Sequence, residues 1–221
     1  MDIFALLAAN IFPLYILIGL GYIAGRWMEV NLHSMAIIAI YMLAPMVSLG
    51  AMIQLKFEPA VLLLPVIMFC VSGAIGTFFY KLAPLAWKDT TANLISLGSV
   101  SGNTSYFGLP IILAMFDVKY VAIYMIMNLG IGISELTTGY YFGARGHADV
   151  KQALMKVVKL PVIHAIWIGL LLNGLNVELS PVMTRYWNYA TGAWVFVGMM
   201  LIGVALGKQP KLELDFRLMR W

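Results

Sequence analysis

Charged residues are sparse along this chain, and the uncharged stretches between them are long. Reading from charge to charge marks seven candidate spans, 3–25, 30–55, 59–80, 90–116, 120–144, 160–177 and 186–207, of which only the fifth is interrupted, by Glu135. Crossing a bilayer takes about 20 apolar residues at about 1.5 Å of rise each, so each stretch predicts one membrane helix. The fourth stretch has the wrong centre for an ordinary one. Ser101-Gly102-Asn103-Thr104-Ser105-Tyr106-Phe107-Gly108-Leu109-Pro110 gathers glycines, hydroxyls, an asparagine and a proline at mid-depth, which predicts that the helix stops and restarts there. Backbone groups freed inside hydrocarbon are costly unless protein, water or a ligand satisfies them, so irregular backbone at this depth is expected to line a cavity. In transporters, a span interrupted by glycine and proline points to the substrate site.

The other spans carry weaker signals. The first holds Asn10, Pro13, Gly19, Gly21 and Gly25, a pattern for close helix packing with Asn10 as a candidate lining residue. The second has Pro45 near its centre with Ser48 and Gly50, which reads either as a kink or as a cavity wall. Pro65, Gly73 and Gly76 in the third add nothing more specific.

Composition agrees with the spans. Hydrophobic residues make up 62% and charged residues 11%, against about 25% charged in soluble domains, so the chain is expected to be an all-α integral membrane protein at the cell membrane, in contact with the lipid bilayer. Asp2 and the length of the first apolar run argue against a cleaved signal peptide. Lysine and arginine divide eleven against three between the two sides, with Lys56, Lys119 and Arg185 on the poorer one. Basic loops stay cytoplasmic, which puts the N-terminus outside and the C-terminus inside. The net charge of +4 then reflects topology, and no nucleic-acid partner is implied.

Two side chains in the fifth span stand out. An ionisable group inside a membrane suggests an ion or proton path, which makes Glu135 a proton-coupling candidate; a structural pairing with a basic loop residue is the competing reading. Asn128, nearer mid-depth, is expected to face Asn103, with a plain helix–helix hydrogen bond as the alternative. The single cysteine, Cys70, reads as a buried apolar residue, and His164 as interfacial. No cofactor or metal is expected. Residues 149–159 place Val150, Ala153, Leu154 and Val157 on one side and lysines on the other, the pattern of an amphipathic helix on the cytoplasmic membrane surface.

Pro13 followed by Gly19-Leu20-Gly21-Tyr22-Ile23-Ala24-Gly25-Arg26, Pro45 in the second span, and above all Gly102-Asn103-Thr104-Ser105-Tyr106-Phe107-Gly108-Leu109-Pro110-Ile111 resemble the auxin efflux carrier family of membrane transporters. Leu160-Pro161 with Gly169, and Leu201-Ile202-Gly203-Val204-Ala205-Leu206, fit the second half of that pattern. The resemblance implies a ten-span fold of two inverted five-span repeats, each with a broken fourth helix, the breaks crossing beside a small organic anion such as a dicarboxylate. On that basis the chain divides into a first repeat at 1–147, a linker helix at 148–159, and the first two spans of an incomplete second repeat with a tail at 160–221. By that resemblance Asn103 would contact substrate or tune the crossover and Pro110 would hold the break; with Thr104, Ser105, Gly108 and Asn128 they make up the candidate substrate-binding set. The resemblance also implies a homodimer through spans one, two, six and seven. A helix N-terminus near Tyr106 to Gly108 attracts a carboxylate, which suits an anionic substrate. The chain departs from the family in lacking a proline inside the seventh span and in lacking the last three spans. A truncated carrier, unable to complete a transport cycle unaided, is therefore the expectation.

Two other classes compete. A seven-span receptor shares the topology, but a mid-membrane break and the lack of a lysine in the seventh span for a retinal Schiff base weigh against it. An enzyme is not expected, since no paired-acid, Cys/His or His-Glu-x-x-His constellation is present.

Overall fold

The computed structural model describes residues 3–56, 59–143, 155 and 158–209. Among them are helices α1 (Ile3–Trp27), α2 (Leu32–Ile53), α3 (Leu64–Ala86), α4 (Thr91–Val100), α5 (Leu109–Met115), α6 (Lys119–Gly143), α7 (Pro161–Gly174) and α8 (Pro181–Gly207), and no strand. Five of them (α1 from Ala8, α2, α3, α6 and α8) are long and apolar enough to cross a membrane. The chain is thus an α-helical, multi-pass membrane protein. The remaining two expected spans take other forms: 90–116 is divided between α4 and α5, and 160–177 contains the 14-residue apolar helix α7. The amphipathic segment 148–159 lies almost wholly outside the described residues, as does the tail from 210 onward.

Local chemistry sets the helix starts. The Asn31 side chain accepts from the Ser34 N–H at 3.0 Å to cap α2, and Ser180 accepts from the Met183 N–H ahead of Pro181 to cap α8. The Asp89 carboxylate accepts from the Thr91 N–H at 2.9 Å where α4 begins.

Two prolines share a device. Pro45 and Pro110 each sit two residues beyond a π-helical turn, Ala39–Leu43 and Thr104–Gly108 respectively. A proline lacks the N–H of a helical residue and pushes against the carbonyl four residues earlier. The wide turn absorbs that clash and lets the helix continue.

Glycines set how the helices pair. Gly21 and Gly25 of α1 lie against the Met200 and Val204 backbone of α8, while Gly203 and Gly207 of α8 lie against Ile18 and Tyr22 of α1. A Cβ at any of these four positions would collide with backbone, so the two helices approach as closely as their main chains allow. The numbers rise together along both, so α1 and α8 run parallel. α2 and α7 form a second parallel pair, with Gly169 against Leu49 and Met52, and with the Asn173 Nδ2 donating to the carbonyls of Ile53 and Leu55 at 2.7 and 2.8 Å. Trp187 of α8 ties the two pairs together, donating from Nε1 to the Val47 carbonyl at 3.0 Å over Gly50. α3 packs on α4 and α6, where the Ser72 hydroxyl donates to the Val100 carbonyl and Gly130 meets Pro65. Cys70, read from the sequence as buried, is exposed instead: it lies on the outer face of α3, with Ile67 and Val71, where apolar residues meet lipid rather than the bundle.

Candidate functional site

The interruption between α4 and α5 is short. Helix α4 ends at Val100, Ser101 is extended, and Asn103 sits in the left-handed region with a φ of 47° before helical structure resumes at Thr104. Glycine adopts that conformation without penalty, whereas asparagine is among the few other residues that tolerate it. The restart therefore falls at Thr104, two residues before the expected Tyr106. Pro110 follows one turn later and limits what the backbone beyond the break can do.

The new helix start is held from three sides. The Thr104 hydroxyl bonds to Asn128 Oδ1, and Asn128 Nδ2 donates to the Ser105 hydroxyl at 2.9 Å. From one turn earlier on α6, the Tyr124 hydroxyl donates to the Thr104 carbonyl at 2.8 Å, an approach open only because Gly108 has no side chain to occupy that space. From α8, Trp194 donates from Nε1 to the Ser105 carbonyl at 3.3 Å and stacks on Tyr106, with ring centroids 5.6 Å apart. Gly198 lets the Tyr106 backbone lie close against α8.

Beside this restart lies a cavity of about 290 Å³. Ser105, Tyr106, Asn128, Glu135, Ser48 and Trp194 supply its polar and aromatic wall, and apolar residues of α2, α5, α6 and α7, with Leu160 just before α7, supply the rest. All three π-helical turns among the described residues reach it, through Ile40 in Ala39–Leu43, Ser105 and Tyr106 in Thr104–Gly108, and Glu135 and Leu136 in Glu135–Gly139. Such turns recur at functional sites because they turn side chains and carbonyls out of the regular helical ladder. Ser48, on the second span, has a fully buried hydroxyl with no hydrogen-bond partner. A buried polar group left without a partner needs a reason, and here it sits on a cavity wall.

Glu135 is half-buried, and its Oε1 accepts from the Ser101 hydroxyl at 2.9 Å. Ser101 is the C-terminal cap of α4, so the carboxylate lies by the partly negative end of that helix. No lysine, arginine or histidine lines the cavity among the described residues.

Four of the residues singled out from sequence are thus brought together: Thr104, Ser105, Asn128 and, two turns further along α6, Glu135. Gly108 acts through the space it leaves for Tyr124. Pro110 is buried and faces a different space, beside Leu17 and Thr191, and Asn10 does not line the cavity. The expected pairing of Asn128 with Asn103 is not formed. Asn103 is exposed and faces Leu32, Ala36 and Leu201 on another side of the break, because its left-handed backbone turns its side chain away from α6. Ser101, Tyr124 and Trp194 were not anticipated as part of the site. A tryptophan in the middle of a span, away from the interfaces where this residue collects, was the available signal for Trp194.

No family model matches the chain, and no solved structure matches it. Over 149 residues it is 28% identical to a curated protein of Methanocaldococcus jannaschii described as an uncharacterized transporter, an alignment that covers 65% of this chain and 48% of that protein. The chain spans about half the length of the curated relative it matches.

Proposed function

We propose that this chain builds the substrate site of a secondary transporter for a small organic anion, with Thr104, Ser105 and Asn128 at the site. One observation carries the reading: three π-helical turns and the interrupted helix converge on a single cavity. Its volume of about 290 Å³ suits a small metabolite, at the lower end of typical ligand sites of about 300–1,000 Å³. The helix restarting at Thr104 brings a partly positive N-terminus to its edge, which favours a carboxylate, and Ser105, Asn128 and the unpartnered Ser48 hydroxyl supply neutral hydrogen-bond groups. The relative in Methanocaldococcus jannaschii, described as a transporter, supports transport as the general activity.

The packing also favours an inverted-repeat architecture. Exchanging α1 with α7 and α2 with α8 converts the parallel pair α1–α8 into the parallel pair α7–α2, as a two-fold axis in the membrane plane would do for helices repeated with opposite orientation. In this reading residues 1–147 form the first repeat, α4 and α5 together make its fourth span, α7 and α8 open the second repeat, and the N-terminus lies outside. The test is binding. In lipid nanodiscs, tritiated mono- and dicarboxylates are expected to bind saturably and to be displaced by unlabelled acid, and Asn128→Ala should weaken that binding at least about tenfold. The absence of saturable binding for every acid, with amines or neutral solutes bound instead, would overturn the reading.

A further inference from the structure

We infer that anion binding in this cavity is linked to the uptake of one proton by Glu135. The inference rests on the proposed organic-anion site. It begins from a conflict within that site: the cavity proposed to take a carboxylate already contains one, and among the described residues its lining offers no basic side chain to neutralise either. Asn128 and Glu135 are seven residues apart on α6, about 10 Å of helix rise, and both line this cavity. At a separation of about 10 Å, and at an effective dielectric of about 20, two like charges weaken binding by roughly fifteenfold.

Among the described residues, the surroundings of Glu135 do nothing to relieve the conflict. The break offers the Ser101 hydroxyl and the Tyr106 phenol, which is the titratable group that shares the cavity with it. α2 brings Ile40, Ala44 and Ser48, α7 brings Leu160, Val162 and Ile163, and α8 brings Trp194, none of them charged. On the side away from the cavity, α3 meets the π turn of α6 near Gly73, and α4 meets it through Leu97 and Val100, again without charge. His164 on α7 is exposed and does not line the cavity. The cheapest neutral partner for an incoming anion is therefore a protonated Glu135.

The hydrogen bond from Ser101 is compatible with both states. The hydroxyl donates to the carboxylate, and it rotates to accept from the carboxylic acid. Protonation leaves the join between α4 and α6 in place while removing the charge from the cavity. Linkage fixes the sign: the proton and the anion bind cooperatively, each favouring the other by the same factor. Anion binding is therefore tighter at low pH and weakens as pH rises, by roughly fifteenfold in all.

The experiment uses the full chain in nanodiscs with acetate, malonate and benzoate as probes. Titration calorimetry in two buffers of different ionisation enthalpy, between pH 5 and 8 and with either sodium or potassium as the only salt cation, counts protons taken up per anion bound. The expected result is an uptake that peaks at about 0.6 proton per anion, as a fifteenfold coupling allows, and falls on either side of that pH, in either salt. Glu135→Gln, which keeps an acceptor for Ser101, should bind with pH-independent affinity and no proton uptake, and Ser101→Ala should retain the proton linkage. Binding without proton uptake, binding that needs sodium instead, or an unchanged pH profile in Glu135→Gln would overturn the inference while leaving the anion site standing. Failure of wild type and Glu135→Gln to bind any of the three acids at any pH would overturn the anion reading itself, and the inference with it.

Discussion

The parallel helix pairs and the region around the break are held together by opposite means. Between α1 and α8, and between α2 and α7, glycines bring main chains into direct contact, and Asn173 adds side-chain hydrogen bonds at one end of the second pair. Around the break, Asn128, Tyr124, Trp194 and Glu135 hold the chain by hydrogen bonds from different helices. Lipid provides no hydrophobic drive for helices to associate, so close packing is the main way to make a rigid membrane interface. Hydrogen bonds can be exchanged one at a time with a ligand or with water, and glycine contacts cannot. The difference teaches that the pairs form the rigid frame and the break forms the part able to respond to a bound molecule.

The sharpest way to break this comparison is to overfill the frame. Gly203→Leu places a side chain against the Ile18 carbonyl and the Tyr22 backbone, and is expected to destabilise the chain by about 3 kcal/mol, read as a fall in the thermal unfolding midpoint in detergent. A neutral outcome would show that α1 and α8 slide apart easily and are no frame.

Asn128→Ala probes the other region. It frees the Thr104 and Ser105 hydroxyls together, yet each membrane hydrogen bond contributes only about 0.6 kcal/mol on average. Stability should fall by about 1 kcal/mol, while equilibrium binding of organic acids drops at least about tenfold, or about 1.4 kcal/mol. A stability loss as large as that of Gly203→Leu would erase the distinction between frame and site.

Ser48→Ala separates the two roles within one residue. Its hydroxyl is buried without a partner, so its removal is expected to raise stability by about 1 kcal/mol. If a bound acid uses that hydroxyl, affinity should fall about fivefold in the same variant. Opposite signs in a melting curve and a binding isotherm are the expected signature.

The smallest effect concerns Asn103. Glycine relieves its left-handed backbone, and Asn103→Gly should stabilise the chain by about 0.5 kcal/mol. Because Asn103 faces away from the cavity, acid binding should stay within about twofold of wild type; a tenfold loss would return it to the substrate site.

Much of the backbone is legible in the order of the residues alone. The five long apolar helices follow from the spacing of charges, and the interruption follows from Gly102, Asn103 and Pro110, whose conformational limits act on the residues next to them. The helix starts at Asn31, Pro161 and Ser180 are equally local. The wide turns before Pro45 and Pro110 belong to the same class of effect, although the sequence shows only the prolines and leaves open how the helix accommodates them.

Which side chains meet was decided by the tertiary structure, for a geometric reason. Each helical residue turns the side chain by about 100°, so facing can be read from spacing only while the helix stays regular. A left-handed residue at Asn103 and three wide turns reset that phase. Asn103 and Thr104 are neighbours in the chain, yet they end on opposite sides of the break, and it is Thr104 that meets Asn128. The partnership of Ser101 with Glu135 spans 34 positions and two helices, and depends on how α4 lies against α6. The sequence by itself determined where the long apolar helices lie and where α4 gives way to α5; the packing of glycine-lined helices determined what the restarted helix touches, because contact at a distance depends on rotations that no local rule sets.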